Sequence, residues 1–283
     1  MELARIFAPV ASEMEEVDRR LRELLRQVAR ESQVRGSGPG IVSGIVQYPF
    51  AVPGKRIRPA LVLLTARMVG GPVDPESLVT VASAVEILHA ASLVHDDIID
   101  GADARRNQIS LNKRFGNRVA VLAGDILYTH FFSLVTGLAG IDPGRRFALL
   151  DLFLDTTKAM CAGEILAQEV GSARPLAYDD YREIASDKTA VLFSACCRSA
   201  AILCDTDGRS SALGEFGLTF GLTFQMADDL VDGDHGLPPD YDLRARTLEH
   251  AARSRACLHS FPDGVYRESL SALIDYVVDH AVS

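Results

Sequence analysis

One long apolar segment limits the folds open to this chain. The run LVTVASAVEILHAASLVH, residues 78–95, places apolar or small residues on nearly every face of a helix, interrupted by Glu86 and His89. A second run, FGLTFGLTFQM, has the same character. Helices that are apolar nearly all round are buried among other helices, and the polar interruptions disfavour a membrane span. The sequence therefore predicts core helices in the middle of a large helical bundle.

Apolar residues recur at three- and four-residue steps through most of the remaining chain, and glycine and proline divide the segments. No segment shows sustained strand alternation between hairpin turns. The predicted helices cover residues 13–31, 59–68, 76–100, 117–138, 144–170, 177–205, 209–232, 242–259 and 265–281. We therefore predict an all-α fold, with residues 1–283 forming a single domain of about ten or more helices.

Charge and cysteine content narrow the classes of function. The net charge of −9 disfavours a nucleic-acid partner, which requires a basic face, and a polybasic membrane anchor. The five cysteines include no CxxC pair, and most lie in apolar helical runs, which is typical of buried free thiols. The first residues turn acidic at once and lack the apolar core of a signal peptide. These features predict a cytoplasmic protein without an integral membrane segment.

Each of the two apolar runs ends in aspartates: Asp96, Asp97 and Asp100 after the first, and Asp228, Asp229 and Asp232 after the second. Residues four apart share one helix face, with Cβ atoms about 5–6 Å apart, so these carboxylates repel each other without a cation. Mg²⁺ prefers such oxygen ligands, together with water and phosphate oxygens. A solvated acidic helix end is the alternative for one motif alone. The repetition favours a site where both motifs hold several Mg²⁺ ions around one diphosphate.

Basic residues flank the motifs: Lys55, Arg56 and Arg58 in PGKRIRPAL, and Arg105 and Arg106 after the first aspartates. Both side-chain types pair with phosphate, although each of these positions is also compatible with a surface charge. Lys188 differs, because it opens the apolar run KTAVLFSACC, and a core lysine normally needs an anionic partner. A substrate phosphate would supply that partner, and Thr189 would add a hydroxyl donor. His89 is either a satisfied core histidine or a phosphate contact.

The set GKRIRP, EILHAASLVHDDIIDGADARRN, GDILYT, KTA and FQMADDLVD, in this order, resembles the trans-prenyltransferases, which include the polyprenyl and farnesyl diphosphate synthases. The likeness covers residues 14–235 and returns in RESLSALIDYVVD. It implies a bundle of the isoprenoid synthase type around a deep central cavity, and usually a homodimer. It also implies Mg²⁺-dependent condensation of an allylic diphosphate with isopentenyl diphosphate, with three Mg²⁺ ions bound with the diphosphate.

The resemblance implies a role for each matching residue. The direct metal ligands would be Asp96, Asp100 and Asp228, supported by Asp97, Asp229 and Asp232. Contacts to the allylic diphosphate would come from Arg105, Lys188 and Gln225. Isopentenyl diphosphate would be held by Lys55, Arg58, His89 and Arg106. Thr189 would lie near the reacting carbons. No residue is an obvious general base, and in this family the released diphosphate takes the proton.

Product length in such enzymes depends on how far the growing tail reaches below the first aspartates. Ala91 and Ser92 lie one helical turn before Asp96, where short-chain members often have an aromatic floor. Because both residues are small, we predict that the tail passes this level and that the product is longer than farnesyl. Phe131 and Phe132 are candidates for a lower floor. Ordinary core packing is the alternative interpretation for these positions.

The chain departs from the family pattern after the second motif. The family continues with a lysine-bearing loop, a KxTLP segment and further helices, whereas this chain has GDHGLPPDYDLRARTLEHAARS and no lysine after Lys188. We interpret this as a shortened C-terminal region, with Arg244 or Arg246 as candidate substitutes for the lysine. Two alternatives therefore stay open: a non-catalytic or partner-dependent subunit, and a class I terpene cyclase. Complete aspartate motifs argue against the first, and an isopentenyl diphosphate site argues against the second.

Overall fold

The computed structural model describes residues 2–31, 41–105, 107–170, 175–233 and 236–282, and the predicted all-α class is confirmed. The α-helices are α1 (Leu3–Ile6), α2 (Ala11–Glu31), α3 (Ile41–Gln47), α4 (Ile57–Val69), α5 (Pro75–Ile99), α6 (Leu111–Phe115), α7 (Asn117–Thr136), α8 (Pro143–Val170), α9 (Tyr178–Ala185), α10 (Val191–Leu203), α11 (Ser210–Asp232), α12 (Leu243–Leu258) and α13 (Val265–Val282). Short 3-10 turns cover Ala8–Val10, Tyr48–Phe50 and Asp207–Arg209.

The structure differs from the sequence prediction at two places that matter for the site. Two short antiparallel strands, β1 (Ala104–Arg105) and β2 (Gln108–Ile109), form a hairpin after the first aspartates. The helix predicted over 177–205 is instead α9 and α10 joined by a π-helical turn, Ser186–Ala190. Both features are too short to produce a periodic pattern. The GSGPG segment, predicted as a break, lies outside the described residues.

The chain forms two compact units, which are described separately. Unit 1 contains the chain up to Ala11, Ala60–Asp74 and the chain from Ile141 onward, and unit 2 contains Ser12–Pro59 and Pro75–Gly140. In unit 1, α11 packs against α10, α12 and α13, and α8 packs against α10 and the π-helical turn. In unit 2, α5 packs against α7. That the whole chain acts as one domain stays a prediction.

The apolar periodicity explains which helix faces are buried. On α2 the residues Val17, Leu21, Leu24, Leu25 and Val28 are all buried, as their three- and four-residue spacing predicts. Helix α5 is buried along almost its whole length before the aspartates. This burial fixes α5 as a core helix of unit 2, so that its C-terminal end presents the first aspartate motif from a rigid element.

Two helices, Pro75–Ile99 and Asn117–Thr136, are long and apolar enough to cross a membrane by length and composition alone. The apolar window of the first is 83% buried inside the protein, which marks it as a core helix, and that of the second is 39% buried. The second helix exposes Val121 and Leu122. One or two such helices are weak grounds for a membrane span, so the predicted lack of one stays a prediction.

Candidate active site

The first aspartate motif divides into two outward carboxylates and one buried carboxylate. Asp96 is half-buried and Asp100 is exposed, and the backbone N–H of Asp100 donates to the carbonyl of Asp96 at 2.8 Å in the last turn of α5. Asp97 is only 4% exposed, and its Oδ1 accepts a hydrogen bond from Arg105 Nε at 2.7 Å. Burial raises the pKa of Asp97, and Arg105 opposes that rise. Asp97 is therefore the member of the motif that Arg105 fixes, while Asp96 and Asp100 lie nearer the surface.

The hairpin that bears Arg105 is held against the end of α5 by hydrogen bonds. Asn112 Nδ2 donates to the carbonyls of Asp97 and Ala102, at 3.0 and 3.3 Å. Tyr48 Oη donates to the carbonyl of Ile109 at 2.7 Å. These bonds fix Arg105 beside Asp97, an arrangement that residue spacing alone did not predict. Arg106, predicted to bind isopentenyl diphosphate, lies outside the described residues.

A partly open cleft in unit 2 brings together several predicted site residues. Its lining includes His89, Asp97 and Arg105, together with Arg56 and Glu86, which the sequence analysis did not assign to the site. Lys55 is exposed in the turn before α4, and Arg58 is half-buried in the first turn of α4. Neither belongs to the lining that the described residues form.

The second aspartate motif, at the end of α11 in unit 1, resembles the first: two of its aspartates are exposed and the middle one is bonded to neighbouring side chains. Asp228 and Asp232 are exposed one turn apart. The carboxylate of Asp229 accepts hydrogen bonds from Tyr181 Oη at 2.5 Å and from Gln225 Nε2 at 2.8 Å. Asp229 is thus fixed by its neighbours, while Asp228 and Asp232 lie at the surface. Tyr181 was not predicted, because its partner lies 48 positions away.

Gln225 joins two of the predicted site residues. Its Oε1 accepts from Thr189 Oγ1 at 2.7 Å, while its Nε2 donates to Asp229. An amide can bridge a hydroxyl and a carboxylate in this way because it has both a donor and an acceptor end. The structure therefore shows Gln225 positioning Thr189 and Asp229. Its predicted contact with the diphosphate stays a prediction.

Lys188 has the anionic partner that its position requires. Its Nζ lies 2.5 Å from Glu164 Oε2 on α8, and Glu164 is 8% exposed. Gln168 Nε2 donates to the other oxygen of Glu164 at 3.0 Å. The sequence predicts a substrate phosphate as the partner of Lys188, whereas the structure shows the carboxylate of Glu164. The four-residue spacing in GEILAQE was the available signal for the Glu164–Gln168 pair.

The π-helical turn is held by close approach of glycines on both sides. A Cβ added at Gly163 would lie 2.6 Å from the backbone nitrogen of Lys188, and one added at Gly221 would lie 2.6 Å from Ala190 Cα. Such π-turns are frequent at functional sites. The tight packing of α8 and α11 against this turn therefore fixes the directions of Lys188 and Thr189.

We expect Gly163→Ala to destabilise the protein. The new methyl group meets backbone rather than a flexible side chain, so the overpacking should lower the free energy of unfolding by about 1–3 kcal/mol. Gly44→Ala is the matched control, because a Cβ there has open space within 4 Å. Denaturant unfolding measures both variants. An unchanged midpoint for Gly163→Ala would contradict the close approach.

Replacing Tyr181 with phenylalanine should weaken metal binding at the second motif. Burial and the neighbouring Asp229 raise the pKa of Tyr181, so its hydroxyl remains a donor at neutral pH. Loss of a hydrogen bond that orients a carboxylate typically reduces metal affinity by about tenfold or more. The half-saturating Mg²⁺ concentration for turnover measures the change. Tyr178→Phe, which removes only a contact with His250, should leave that concentration unchanged.

Arg246, a candidate substitute for the family's lysine, is engaged elsewhere. Its Nε donates to Tyr241 Oη at 3.1 Å, its Nη1 pairs with Glu249 at 2.8 Å, and its guanidinium lies 4.9 Å from the centre of the Tyr178 ring. Of these contacts, the one with the Tyr178 ring joins the start of α12 to α9. Arg244 is exposed.

The residues present fit Mg²⁺ held jointly by protein and diphosphate. Among the described residues, no group of three or more His, Cys, Asp or Glu side chains could hold a metal ion alone. Mg²⁺ typically takes one or two carboxylates and fills its other positions with water and phosphate oxygens. The pairs Asp96–Asp100 and Asp228–Asp232 match that requirement.

Comparison with known proteins identifies the family. The model of the polyprenyl synthetase family matches residues 39–235, so the chain belongs to this family. Octaprenyl diphosphate synthase of Escherichia coli K12 is 32% identical over 193 residues, which are 68% of this chain and 57% of that protein. Geranylgeranyl diphosphate synthase of Methanosarcina mazei is 31% identical over 233 residues, 82% of this chain and 68% of that protein.

Solved structures support the fold. A polyprenyl synthase from Caulobacter crescentus, solved with calcium and isoprenyl diphosphate, has a TM-score of 0.82 at 24% identity, covering 99% of this chain and 98% of that one. At this identity the likeness shows the shared fold. The chain spans 57% of the length of the Escherichia coli relative.

Proposed function

We propose that this chain is a metal-dependent trans-polyprenyl diphosphate synthase. It condenses isopentenyl diphosphate with an allylic diphosphate. The observation that carries the proposal is the repeated arrangement of the aspartates. At the ends of α5 and α11, a central carboxylate is fixed by Arg105 or by Tyr181, and two outward carboxylates lie one turn apart. The names of its octaprenyl, decaprenyl and geranylgeranyl diphosphate synthase relatives support the same reaction.

The metal in the proposal is Mg²⁺, with three ions bound with the allylic diphosphate. When bound, these ions supply positive charge that stabilises the departing diphosphate. Asp96, Asp100, Asp228 and Asp232 would hold them, while Asp97 and Asp229 keep the motifs oriented. The acidic pairs would otherwise repel each other, so the site needs these cations.

The chain's own cations complete the site. Lys188 and Arg105 would donate to the allylic diphosphate as its C–O bond breaks, because donors already in position need no reorganisation. Lys55, Arg58, His89 and Arg106 would hold isopentenyl diphosphate. Thr189, fixed by Gln225, would face the reacting carbons. The released diphosphate would accept the proton lost from the new allylic product.

A product longer than farnesyl is part of the proposal. Ala91 is fully buried on α5, and the hydroxyl of Ser92 bonds back to the carbonyl of His89 at 2.9 Å. Both residues are small, so neither forms an aromatic floor. Phe131 and Phe132 on α7 contact each other edge to face, with centroids 5.1 Å apart. Phe132 is our candidate for the residue that limits the tail.

We expect Ala91→Phe to shorten the product. The ring would occupy space one turn below Asp96 and stop the tail there, since a packed site cannot absorb an added ring without displacement. Chromatographic sizing of the products measures the shift. Leu248→Phe, at an exposed position on α12, is the control. An unchanged product distribution for Ala91→Phe would contradict the assignment.

We also propose that the protein is a cytoplasmic homodimer. Helix α7 exposes Val121 and Leu122, and helix α8 exposes Phe147, Leu154 and Ile165. Phe147 and Leu154 are seven positions apart and therefore share one face of α8, and exposed apolar patches are typical of surfaces that bind another protein. A second copy would cover them. Sedimentation equilibrium measures the mass, and a monomer at micromolar concentration would contradict this assignment.

One experiment separates the proposed function from its alternatives. The purified chain is incubated with Mg²⁺, labelled isopentenyl diphosphate and allylic primers of several lengths, and the products are sized. Linear elongation supports a synthase, and a cyclic hydrocarbon supports a cyclase. No turnover without a second protein supports a partner-dependent subunit. That alternative is favoured by the lack of a lysine after Lys188.

A further inference from the structure

Arg56 has a backbone conformation that its residue type rarely adopts. Its φ angle is 55°, in the left-handed region that residues with a Cβ avoid because the Cβ crowds the following carbonyl. Arg56 is the residue immediately before α4, which begins at Ile57. Glycine would adopt this conformation without strain. Strain of this kind persists where the surrounding structure fixes it, and it clusters at functional sites.

Two carboxylates from different helices fix the Arg56 side chain. Its Nη1 donates to Glu86 Oε2 on α5 at 2.9 Å, and its Nε donates to Asp18 Oδ1 on α2 at 3.0 Å. Glu86 is 7% exposed. Burial lowers the pKa of Arg56, but Glu86 and Asp18 outweigh it, so the pKa is raised and the group stays charged. Arg56 thus bridges α2, the turn before α4 and α5.

The bridge lies beside the residues assigned to isopentenyl diphosphate. Arg56, Glu86 and His89 all line the cleft of unit 2, and Glu86 precedes His89 by three positions on the same helix. Lys55 and Arg58 flank Arg56 in the chain. The backbone of Arg56 therefore sets the direction of the chain between Lys55 and the start of α4, where Arg58 lies. Its side chain ties that turn to the helix that bears His89.

We propose that Arg56, Glu86 and Asp18 are positioning residues that hold Lys55 and Arg58 in register with His89 for isopentenyl diphosphate. This inference rests on the proposed function. Arg56 acts through its neighbours, because its Nη1 and its Nε already donate to the carboxylates of Glu86 and Asp18. A glycine would avoid the backbone strain at this position. Only a long side chain with several N–H donors, however, reaches the carboxylates on both helices at once.

The test compares Arg56→Lys, Arg56→Gly and Glu86→Gln with the wild-type protein. Lysine keeps the charge but cannot direct donors to two carboxylates, and glycine removes the strain together with the bridge. We expect each variant to raise KM for isopentenyl diphosphate by about tenfold, which corresponds to about 1.4 kcal/mol. KM for the allylic diphosphate should stay within about twofold and kcat within about threefold of wild type.

Arg145→Lys is the matched control. Arg145 also bridges two carboxylates, with Nε 3.0 Å from Asp142 and Nη2 2.6 Å from Asp205, but it lies in unit 1, outside the predicted site. Its substitution should leave both KM values unchanged. If Arg56→Gly does not fold, the other two variants decide the question. The proposal is overturned if they leave KM for isopentenyl diphosphate unchanged, or if only kcat falls, as a purely structural role predicts.

A calorimetric titration with isopentenyl diphosphate separates failure of this proposal from failure of the proposed function. If the wild-type protein binds this ligand without elongating it, the synthase assignment fails. The positioning role of Arg56 is then tested by the dissociation constant of each variant for isopentenyl diphosphate, divided by that of the wild-type protein. A ratio of about ten supports it, and a ratio near one overturns it. Absence of binding by the wild-type protein overturns both proposals.

Discussion

An Asp96→Asn variant should lose at least about a thousandfold in kcat, because the metal ions contribute several kcal/mol to stabilisation of the departing diphosphate. Asp96 and Asp100 are the outward pair of the first motif, and Asn removes the charge from one of them without a change of shape. The neighbouring Asp97 cannot take over, because it is buried and bonded to Arg105. Initial rates of labelled isopentenyl diphosphate incorporation at saturating Mg²⁺ measure the loss.

Asp155→Asn provides the control for this prediction. Asp155 is also a helical aspartate, but it is exposed and pairs only with Lys158 at 2.9 Å. Its substitution should leave the rate within about twofold, as is usual for surface positions. A fully active Asp96→Asn variant would overturn the metal assignment at the first motif.

Lys188→Met should lower kcat/KM for the allylic diphosphate by about a hundredfold, since loss of one preset donor commonly costs that much. It should also lower the melting temperature, because the largely buried Glu164 would lose its partner. The double variant Lys188→Met with Glu164→Gln removes the uncompensated charge. We expect that variant to recover much of the lost stability but none of the lost activity.

The matched control for Lys188 is Lys158→Met. Lys158 pairs with Asp155 on α8, but both side chains are exposed and lie in solvent. Pairs of this kind contribute little to stability. Neither activity nor melting temperature should change. If the double variant with Glu164→Gln were as active as wild type, Lys188 would have a purely structural role.

The sequence was sufficient to predict the helical class and the position of both aspartate motifs. The helix ends near Asp100 and at Asp232 follow from the apolar runs that precede them, and local patterns are enough to recognise such helices. The hairpin after α5 and the π-helical turn before α10 were missed. The turn has five residues and the hairpin spans residues 104–109, too few for a repeating hydrophobic pattern, and each depends on packing that the pattern does not report.

Which carboxylate of each motif points inward could not be predicted from spacing. Asp97 and Asp229 each have a neighbour of identical type at the preceding position, so local sequence does not distinguish them. Their partners, Arg105 and Tyr181, are supplied by separate elements. The same limit applies to Lys188, whose partner Glu164 comes from the preceding long helix. Long-range contacts decide these roles.

In the proposed function, each aspartate motif binds Mg²⁺ and depends on Mg²⁺ to bind the allylic diphosphate. The most direct measurement is a calorimetric titration of the chain with a thio analogue of farnesyl diphosphate that does not ionise. With Mg²⁺ present, we predict one tight binding event per chain, lost on chelation and weakened at least tenfold in both Asp96→Asn and Asp228→Asn. Equal affinity in the presence of a chelator, or an effect of only one of the two substitutions, would contradict the account.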